Sequence, residues 1–434
     1  MGELTEAVIK FINIGDYKSA FDCIANVYKE DKDTGTRLNN AFRKAVRVKI
    51  DNDLDMEESY ELLHQSYVLT AQDCFDDFMI ALEWYRPNEE KFWLPRRKQL
   101  KPIADALQSL ADGELDELFV SQAPRTGKST LVMFFILWEM CRKPDMSNLY
   151  SSYTEAVVKT FFNGIMEIIN DPTTYDLRTI FPKFKLASTD AKDLLINIGR
   201  KKRYASLTAR SLYGTLNGAC DCSGYVVADD LHSGIEEALN KDLLMKAWMR
   251  VENNLLPRAK EKAKRLWIGT RRSLVDCIAK RIELLESDPK FASVRYKVVN
   301  VPALDSNDES NFDYLYNLGF STDTYHQRRA SFEHNGDMAS WDAQYMGQPI
   351  ERDGCLIEPN ELRYYNGDLP VDIEPDRIWM CVDPAWGGGD YTASPVIYQY
   401  DTDLYIVDVV YDNGDKTKTQ PQLAQKAMEH GVQA

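Results

Sequence analysis

The stretch between Leu118 and Trp138 restricts the possible folds more than any other part of the chain. Three apolar residues lead into the loop Ser121-Gln-Ala-Pro-Arg-Thr-Gly-Lys-Ser-Thr130, and the apolar run Leu131-Val-Met-Phe-Phe-Ile-Leu-Trp138 follows it. This order predicts a buried strand, a loop and a buried helix, which is the context that a phosphate-binding loop requires. Because strands and helices alternate around it, we expect an α/β fold with a parallel sheet.

The residue types in the loop fit nucleotide binding. Gly127 lets backbone N–H groups approach phosphates, Lys128 supplies a point charge to the β and γ phosphates, and Ser129 offers a hydroxyl to Mg²⁺. The usual pattern is G-x-x-x-x-G-K-[ST], and Gln122 stands where its first glycine would be. An ordinary Gly-Lys-Ser turn that opens a helix is the alternative. The other motifs of the chain favour an ATP site.

An apolar strand that ends in two acids supplies the second half of such a site. Gly224-Tyr-Val-Val-Ala-Asp-Asp230 would bring both carboxylates to the carboxyl edge of the sheet, beside the loop. We expect Asp229 to hold Mg²⁺ and Asp230 to orient or deprotonate the attacking water. A strand that ends in an ordinary acidic turn is the alternative interpretation.

A third strand, from Arg265 to Thr270, is followed by two arginines. The Thr270 hydroxyl, or a guanidinium after it, would lie near the γ phosphate and sense its presence. Arg125, inside the loop, is a second candidate for stabilising negative charge in the transition state. A plain strand-to-turn junction and a loop arginine paired with a neighbouring acid remain open as alternatives.

Charge and composition exclude several classes of protein. The formal net charge of -16 excludes a uniformly basic nucleic-acid surface, so any contact with DNA would be local. The stretches that are either such contacts or solvated faces are Arg96 to Lys98, Gly199 to Arg203 and Arg258 to Arg265. No apolar stretch is long enough for a membrane helix, and eight cysteines without C-x-x-C spacing favour a reduced setting. Cys220 and Cys222 with His232 are too sparse a pattern for zinc.

Four regions follow from the spacing of glycine, proline and apolar residues. Residues 1–88 are predicted to be a helical appendage, with one long helical segment over 55–84, and residues 89–345 alternate strand and helix as in a P-loop ATPase domain. Residues 346–376, rich in proline, glycine and acids, are predicted to be a linker. Residues 377–434 begin a second domain with three short strands and a helix near 420–430.

Four separated motifs, in this order, resemble those of the large terminase subunit of tailed bacteriophages, the motor that packages DNA into proheads. The motifs are Gln122 to Ser129, Ser206 to Gly218 leading into Val226 to Asp230, Gly269 to Arg272 with Asp276, and Trp341 to Pro349 with Gly354. The family's phosphate loop also tends to lack the first glycine and to hold an arginine. Ala219 departs from the family, whose members often carry arginine at that position.

The resemblance implies an ASCE or RecA-like ATPase fold and assigns roles to residues. Asp229 and Asp230 would be the Walker B pair. Arg125 would be a cis arginine finger and Thr270 the coupling residue, while Gln99 would read the adenine. The implied nucleotide-binding residues are Gln99, Gln122, Arg125, Thr126, Gly127, Lys128, Ser129 and Thr130. The implied partners are double-stranded DNA, a portal protein and a small terminase subunit, with a homo-oligomeric ring on the portal in the cytoplasm of a host bacterium.

The second domain resembles the opening of an RNase H-like nuclease, in which two Mg²⁺ or Mn²⁺ ions act on DNA. Ile378-Trp-Met-Cys-Val-Asp383 is an apolar strand that ends in an acid, so Asp383 would be the central metal ligand and Asp390 a nearby one. Asp408 is either a further ligand or a solvated strand acid. Because the chain ends at Ala434, before the family's later metal acids, we expect a truncated nuclease in a protein that hydrolyses ATP without cutting DNA.

Two other functions remain open. A helicase-like or repair ATPase would share the same core, but it would carry further helicase motifs after Thr270, where this chain has a linker instead. A non-catalytic assembly fragment would bind a portal or a small subunit through the N-terminal helices. For such a fragment, Lys128→Ala would leave the measured activity unchanged.

Overall fold

The computed structural model describes residues 2–52, 56–216, 218, 220–232, 234, 240–349, 363–365, 367–370, 373–385 and 391–433. The chain forms two compact units, residues 1–352 (unit 1) and residues 353–434 (unit 2). Within the described ranges, no helix combines the length and the apolar character needed to cross a membrane.

Five helices open unit 1, and they share the core of the sheet that follows them. They are α1 (Gly2–Ile14), α2 (Tyr17–Glu30), α3 (Lys32–Asp51), α4 (Met56–Ala71) and α5 (Phe75–Leu82). The extended backbone of Cys74 divides the segment predicted over 55–84 into two helices. The ring centroids of Phe75 and Phe135 are 5.4 Å apart, and the Trp138 indole donates a hydrogen bond to the Ala71 carbonyl at 2.8 Å. The helices are therefore packed into the main core and do not form an appendage.

A sheet of eight strands forms the centre of unit 1. The strands are β1 (Glu117–Gln122), β2 (Asn148–Ser152), β3 (Leu186–Asp190), β4 (Leu195–Ile198), β5 (Leu207–Ser211), β6 (Tyr225–Asp229), β7 (Lys264–Gly269) and β8 (Tyr296–Val301). Their order in the sheet is β3-β4-β5-β2-β6-β7-β1-β8. The strands from β5 to β8 in that order pair in parallel, whereas β3 and β4 form an antiparallel edge. The predicted α/β fold is confirmed. The antiparallel edge departs from the predicted parallel pairing, because the short connection between β3 and β4 allows only a hairpin.

Both faces of the sheet are covered, as parallel strands require. Leu118 and Val120 of β1 belong to one hydrophobic cluster, while Phe119 between them belongs to a second. The other helices in the described part of unit 1 are α6 (Trp93–Ala111), α7 (Lys128–Arg142), α8 (Glu155–Asn170), α9 (Leu177–Ile180), α10 (Lys241–Arg250), α11 (Cys277–Ser287), α12 (Thr322–His334) and α13 (Met338–Trp341), with π-helical turns at Val251–Leu255 and Asp342–Met346. Because Leu118 and Val120 of β1 face one cluster and Phe119 faces the other, side chains from this strand pack against both faces of the sheet.

Unit 2 is a three-stranded antiparallel sheet with a helix after it. The strands β9 (Arg377–Met380), β10 (Thr392–Tyr400) and β11 (Asp403–Asp412) lie in the order β11-β10-β9, and α14 is Lys416–His430. The helix begins earlier than predicted because Asp415 caps it by accepting a hydrogen bond from Thr417 N at 2.9 Å. In the described part of this unit, Val396 and Val410 are the buried apolar side chains.

Candidate active site

Three neighbouring strands bring the predicted site residues to one edge of the sheet. β6, β7 and β1 are adjacent and parallel, with Asp229 opposite Ile268 and Ser121 opposite Gly269. The loop after β1, the acids at the end of β6 and the residue after β7 therefore leave the sheet side by side. This edge holds the carboxyl ends of the strands, where ligands bind to open α/β sheets.

The loop after β1 has a backbone that suits phosphate binding. Arg125 and Gly127 adopt left-handed φ angles of 62° and 98°. A Cβ at position 127 would lie 3.0 Å from the Phe92 ring, so glycine is needed there both for space and for its φ angle. Helix α7 begins at Lys128, and no side chain of the described residues caps it. Its first N–H groups are therefore free to bind an anion.

Two hydrogen bonds fix the shape of this loop. The Thr126 hydroxyl donates to the Ala123 carbonyl at 2.8 Å, and the Tyr314 hydroxyl donates to the Thr126 carbonyl at 2.7 Å. Both Thr126 and Tyr314 are buried. Because these two hydrogen bonds hold the loop in shape, binding of phosphate needs little further ordering.

Lys128 is buried and faces the ends of the neighbouring strands. Its Nζ donates to Thr270 Oγ1 at 2.8 Å and lies 3.5 Å from Asp230 Oδ2. The Thr270 hydroxyl in turn donates to the Gln122 carbonyl at 3.3 Å. A buried ammonium group is unfavourable unless it is well paired, and nucleotide phosphates would supply further anionic partners.

Asp229 has the surroundings of a metal ligand. It is 1% exposed, and the Tyr150 hydroxyl donates to its Oδ2 at 2.8 Å, whereas its Oδ1 has no hydrogen-bond partner among the described residues. Burial, and then the charge of Asp230, raise the pKa of Asp229 to about 6, although Lys128, Ser129 and Tyr150 act in the opposite direction. An unpartnered buried oxygen is costly, and a Mg²⁺ ion held by Asp229 and Ser129 would satisfy it.

Asp230 is more accessible than its neighbour and stays ionised. Its side chain is 33% exposed, and its Oδ1 accepts a hydrogen bond from Thr270 N at 2.8 Å. Burial by itself would raise the pKa of Asp230, but the charge of Lys128 and the Thr270 N–H outweigh it, so the pKa is lowered. Asp230 also has a left-handed φ of 41°, a strained conformation that is often found at functional sites. An ionised carboxylate that reaches solvent can orient a water molecule.

A pocket of about 450 Å³ opens above these residues. It is lined by Phe92, Arg96, Pro124, Arg125, Gly127, Lys128, Ser129, Thr130, Asp230, Thr270 and Arg272. Most of the residues predicted to bind nucleotide therefore meet in one place. Asp229 does not line the pocket and is buried at the end of β6, next to Asp230.

Three predicted nucleotide-binding residues do not line the pocket: Thr126, which is buried within the loop, and the glutamines Gln122 and Gln99. Gln122 is 2% exposed, and within the described structure neither atom of its amide group has a hydrogen-bond partner. Gln99, on α6, donates from its amide to the Asp313 carbonyl at 3.1 Å. Gln122 contacts the site instead through its backbone carbonyl, which accepts a hydrogen bond from the Thr270 hydroxyl.

Sequence reasoning missed the residues that close the pocket from the side of α6. The Arg96 guanidinium lies over the rings of Phe92 and Tyr314, at 5.0 Å and 5.2 Å from their centroids. Arg96 belongs to the basic stretch Arg96 to Lys98, and this stretch could have indicated a phosphate contact near the loop. No sequence signal identifies Tyr314 or Tyr150, because their roles depend on contacts between segments that are far apart in the chain.

The acids of unit 2 are arranged differently. Asp383 is exposed just beyond β9, where its backbone forms two hydrogen bonds with Ala393 at 2.9 Å and 3.0 Å. Asp390 lies outside the described residues. Asp408 accepts hydrogen bonds from Lys426 at 2.7 Å and from His430 at 3.0 Å, and these two groups lower its pKa to about 2. The charge of Asp408 is therefore already paired.

One group of side chains in the described structure could hold a metal ion by proximity, and it consists of Asp408, Glu429 and His430. It does not include Asp383, nor do Cys220 and Cys222 form such a group with His232. The positions Ala219 and Gly354, named for the family resemblance, lie outside the described residues.

Comparison with known proteins gave matches in structure. No protein-family model and no curated protein sequence matches the chain. The structure is similar to the large terminase of bacteriophage HK97, with 12% identity, a TM-score of 0.44, and coverage of 81% of this chain and 71% of that one. The large terminase of a thermophilic bacteriophage in complex with ADP gives 12% identity, a TM-score of 0.35, and 78% and 73% coverage. The ATPase domain of a Thermus phage large terminase gives 14% identity, a TM-score of 0.33, and coverage of 54% of this chain and 89% of that one.

Proposed function

We propose that unit 1 binds and hydrolyses Mg²⁺·ATP, and that the hydrolysis drives double-stranded DNA into a prohead, as in the large terminase of tailed bacteriophages. The observation that carries the ATPase proposal is the network of Lys128, Thr270 and Asp230 beneath a preformed loop. The DNA-packaging part of the proposal is supported by the order of the four sequence motifs.

Each group at the sheet edge has a role in this proposal. Lys128 and the first N–H groups of α7 bind the β and γ phosphates. Ser129 and Asp229 hold Mg²⁺, whose charge would neutralise the phosphates. Asp230 orients or deprotonates the attacking water, and Arg125, exposed at the mouth of the pocket, stabilises charge that develops in the transition state.

The partners proposed for the chain follow from the terminase resemblance. They are DNA, a portal protein and a small terminase subunit, with several copies of the chain in a ring on the portal, inside a bacterial host. DNA would be bound at local basic stretches because the chain as a whole carries a net charge of -16. We propose residues 89–345 as the limits of the ATPase domain within unit 1.

For unit 2 we propose an RNase H-like nuclease domain in which Asp383, with Asp390, begins a two-metal site. No other acid in the described residues is grouped with Asp383. We propose that the chain with this sequence does not cut DNA. Nicking of a plasmid in Mn²⁺ that disappears on Asp383→Ala would refute this proposal.

ATP hydrolysis by the whole chain tests the proposed function. We expect phosphate release that needs Mg²⁺, and a loss on the order of 100-fold or more in Lys128→Ala, because a charge-assisted contact to the transferred phosphate is removed. Lys159→Ala, at an exposed position of α8, is the matched control and should hydrolyse ATP at the normal rate. Equal rates for the two variants would contradict the proposal and favour an assembly role.

A further inference from the structure

Arg272 carries a positive charge that neighbouring acidic groups compensate only in part. It lines the pocket beside Lys128 and Asp230. Burial lowers the pKa of Arg272, while the charge of Asp230 opposes this effect. Its Nη1 donates to Gln344 Oε1 at 2.9 Å, and within the described parts of the chain this is the hydrogen bond that its guanidinium makes. A guanidinium has five N–H donors, so most of them remain available to a ligand.

Gln344 is carried by a turn with well-defined anchors. It lies in the π-helical turn Asp342–Met346, and such turns occur frequently at functional sites. The Tyr345 carbonyl accepts from Ala303 N at 2.7 Å, and the Met346 carbonyl accepts from the Asn300 amide at 2.9 Å. The rings of Tyr345 and Trp341 stack at 4.6 Å.

The residue after this turn adds a further constraint. Gly347 has a left-handed φ of 68°, and a Cβ at that position would overlap the Asn300 side chain. The turn is thereby fixed against the end of β8, which is next to β1 in the sheet. The Gln344 amide is thus held in a defined position relative to the phosphate loop.

A neutral acceptor suits this position. A carboxylate at residue 344 would form an ion pair with Arg272 and reduce the positive potential that phosphate needs. An amide oxygen orients one edge of the guanidinium and leaves its full charge available. Orientation of this kind matters most in the transition state, where small errors in the position of a charged group lower the rate.

We infer that Gln344 is a positioning residue for Arg272: it holds one edge of the guanidinium so that the other faces the γ phosphate of a bound nucleotide. The inference rests on the proposed ATPase function. The inference also links phosphate binding to the turn Asp342–Met346. Arg272 would contact this turn on one side and the nucleotide on the other.

Kinetics of the whole chain test this inference. Gln344→Met keeps the length of the side chain but removes the acceptor, and we expect kcat for ATP to fall on the order of tenfold with little change in KM, as for loss of one hydrogen bond to a charged group. Gln348→Met is the same substitution at an exposed position close by and should leave both constants unchanged. Gln344→Glu should instead raise KM, because it places a negative charge near the phosphates.

A double variant separates positioning from a structural role. If Gln344 acts through Arg272, adding Gln344→Met to Arg272→Met causes no further loss of kcat, whereas a structural effect would add to it. Additive losses, or wild-type kinetics in both Gln344→Met and Gln344→Glu, would overturn the inference. Failure of the ATPase proposal looks different: Lys128→Ala would then keep the wild-type rate. If Gln344→Met fails to fold, the KM of Gln344→Glu decides the matter.

Discussion

Two strands of this chain end near an aspartate that sequence reasoning assigns to a metal ion, and their surroundings differ. At the end of β6, Asp229 is 1% exposed, has Tyr150 on one oxygen and no described partner on the other, and has a pKa raised to about 6. Beyond β9, Asp383 is exposed, and its hydrogen bonds in the described structure are those of its backbone. The end of a strand therefore determines only where a carboxylate lies. Burial and neighbouring charges give the carboxylate its chemistry.

Substitution of the strand-end acids should affect ATP turnover very differently in the two units. Asp230→Asn should lower ATP turnover by roughly 10²- to 10⁴-fold, because the group that orients or deprotonates water is lost while phosphate binding remains. The matched substitution Asp383→Asn should leave ATP turnover unchanged. Steady-state phosphate release by both variants measures the difference. A loss of turnover in Asp383→Asn of similar size would show that the two strand ends are not distinct in this way.

A smaller effect depends on pH. Because the pKa of Asp229 is raised to about 6 from an ordinary value of 3.8, its metal-binding ionised form is lost as the pH falls through about 6. The affinity for Mg²⁺·ATPγS should therefore fall about tenfold for each pH unit below that value. Tyr150→Phe removes a hydrogen bond that favours the ionised form, so the loss should begin at higher pH. Calorimetric titrations between pH 5 and pH 8 would contradict the account if affinity were constant.

The smallest effect concerns the paired acid of unit 2. Asp408→Asn removes contacts with Lys426 and His430, but a surface ion pair contributes less than about 1 kcal/mol to the free energy of unfolding. Because the pKa of Asp408 is lowered to about 2, this contribution is present above the ordinary pKa and is lost as the pH falls through about 2. Thermal unfolding of the whole chain measures the change. ATP turnover should be unaffected, and an altered rate would count against the structural role of Asp408.

The sequence was sufficient to predict a mainly parallel sheet and the strand ends that carry Ser121, Asp229 and Thr270, because each depends on local patterns. Apolar runs before Ser121, before Asp229 and before Thr270 fix three strand ends that the parallel sheet then brings together. Contacts between distant segments were not predictable. The bond between Arg272 and Gln344 joins two turns, and only the packing of the second turn against β8 brings them together.

Helix packing shows the same limit. The sequence identifies α5 as helical, but its packing against Phe135 of α7 is a tertiary contact that periodicity alone does not reveal. The position of Gln99 depends likewise on where the Asp313 carbonyl lies. Sequence patterns therefore predicted elements and strand ends better than they predicted the walls of the pocket.

A crystal structure of the whole chain with Mn²⁺ and ATPγS tests the central claim most directly. The account predicts an anomalous Mn²⁺ peak between Ser129 Oγ and Asp229 Oδ1, with the γ phosphate beside Lys128. Nucleotide bound elsewhere, or Mn²⁺ at Asp383 with none beside Asp229, would contradict it.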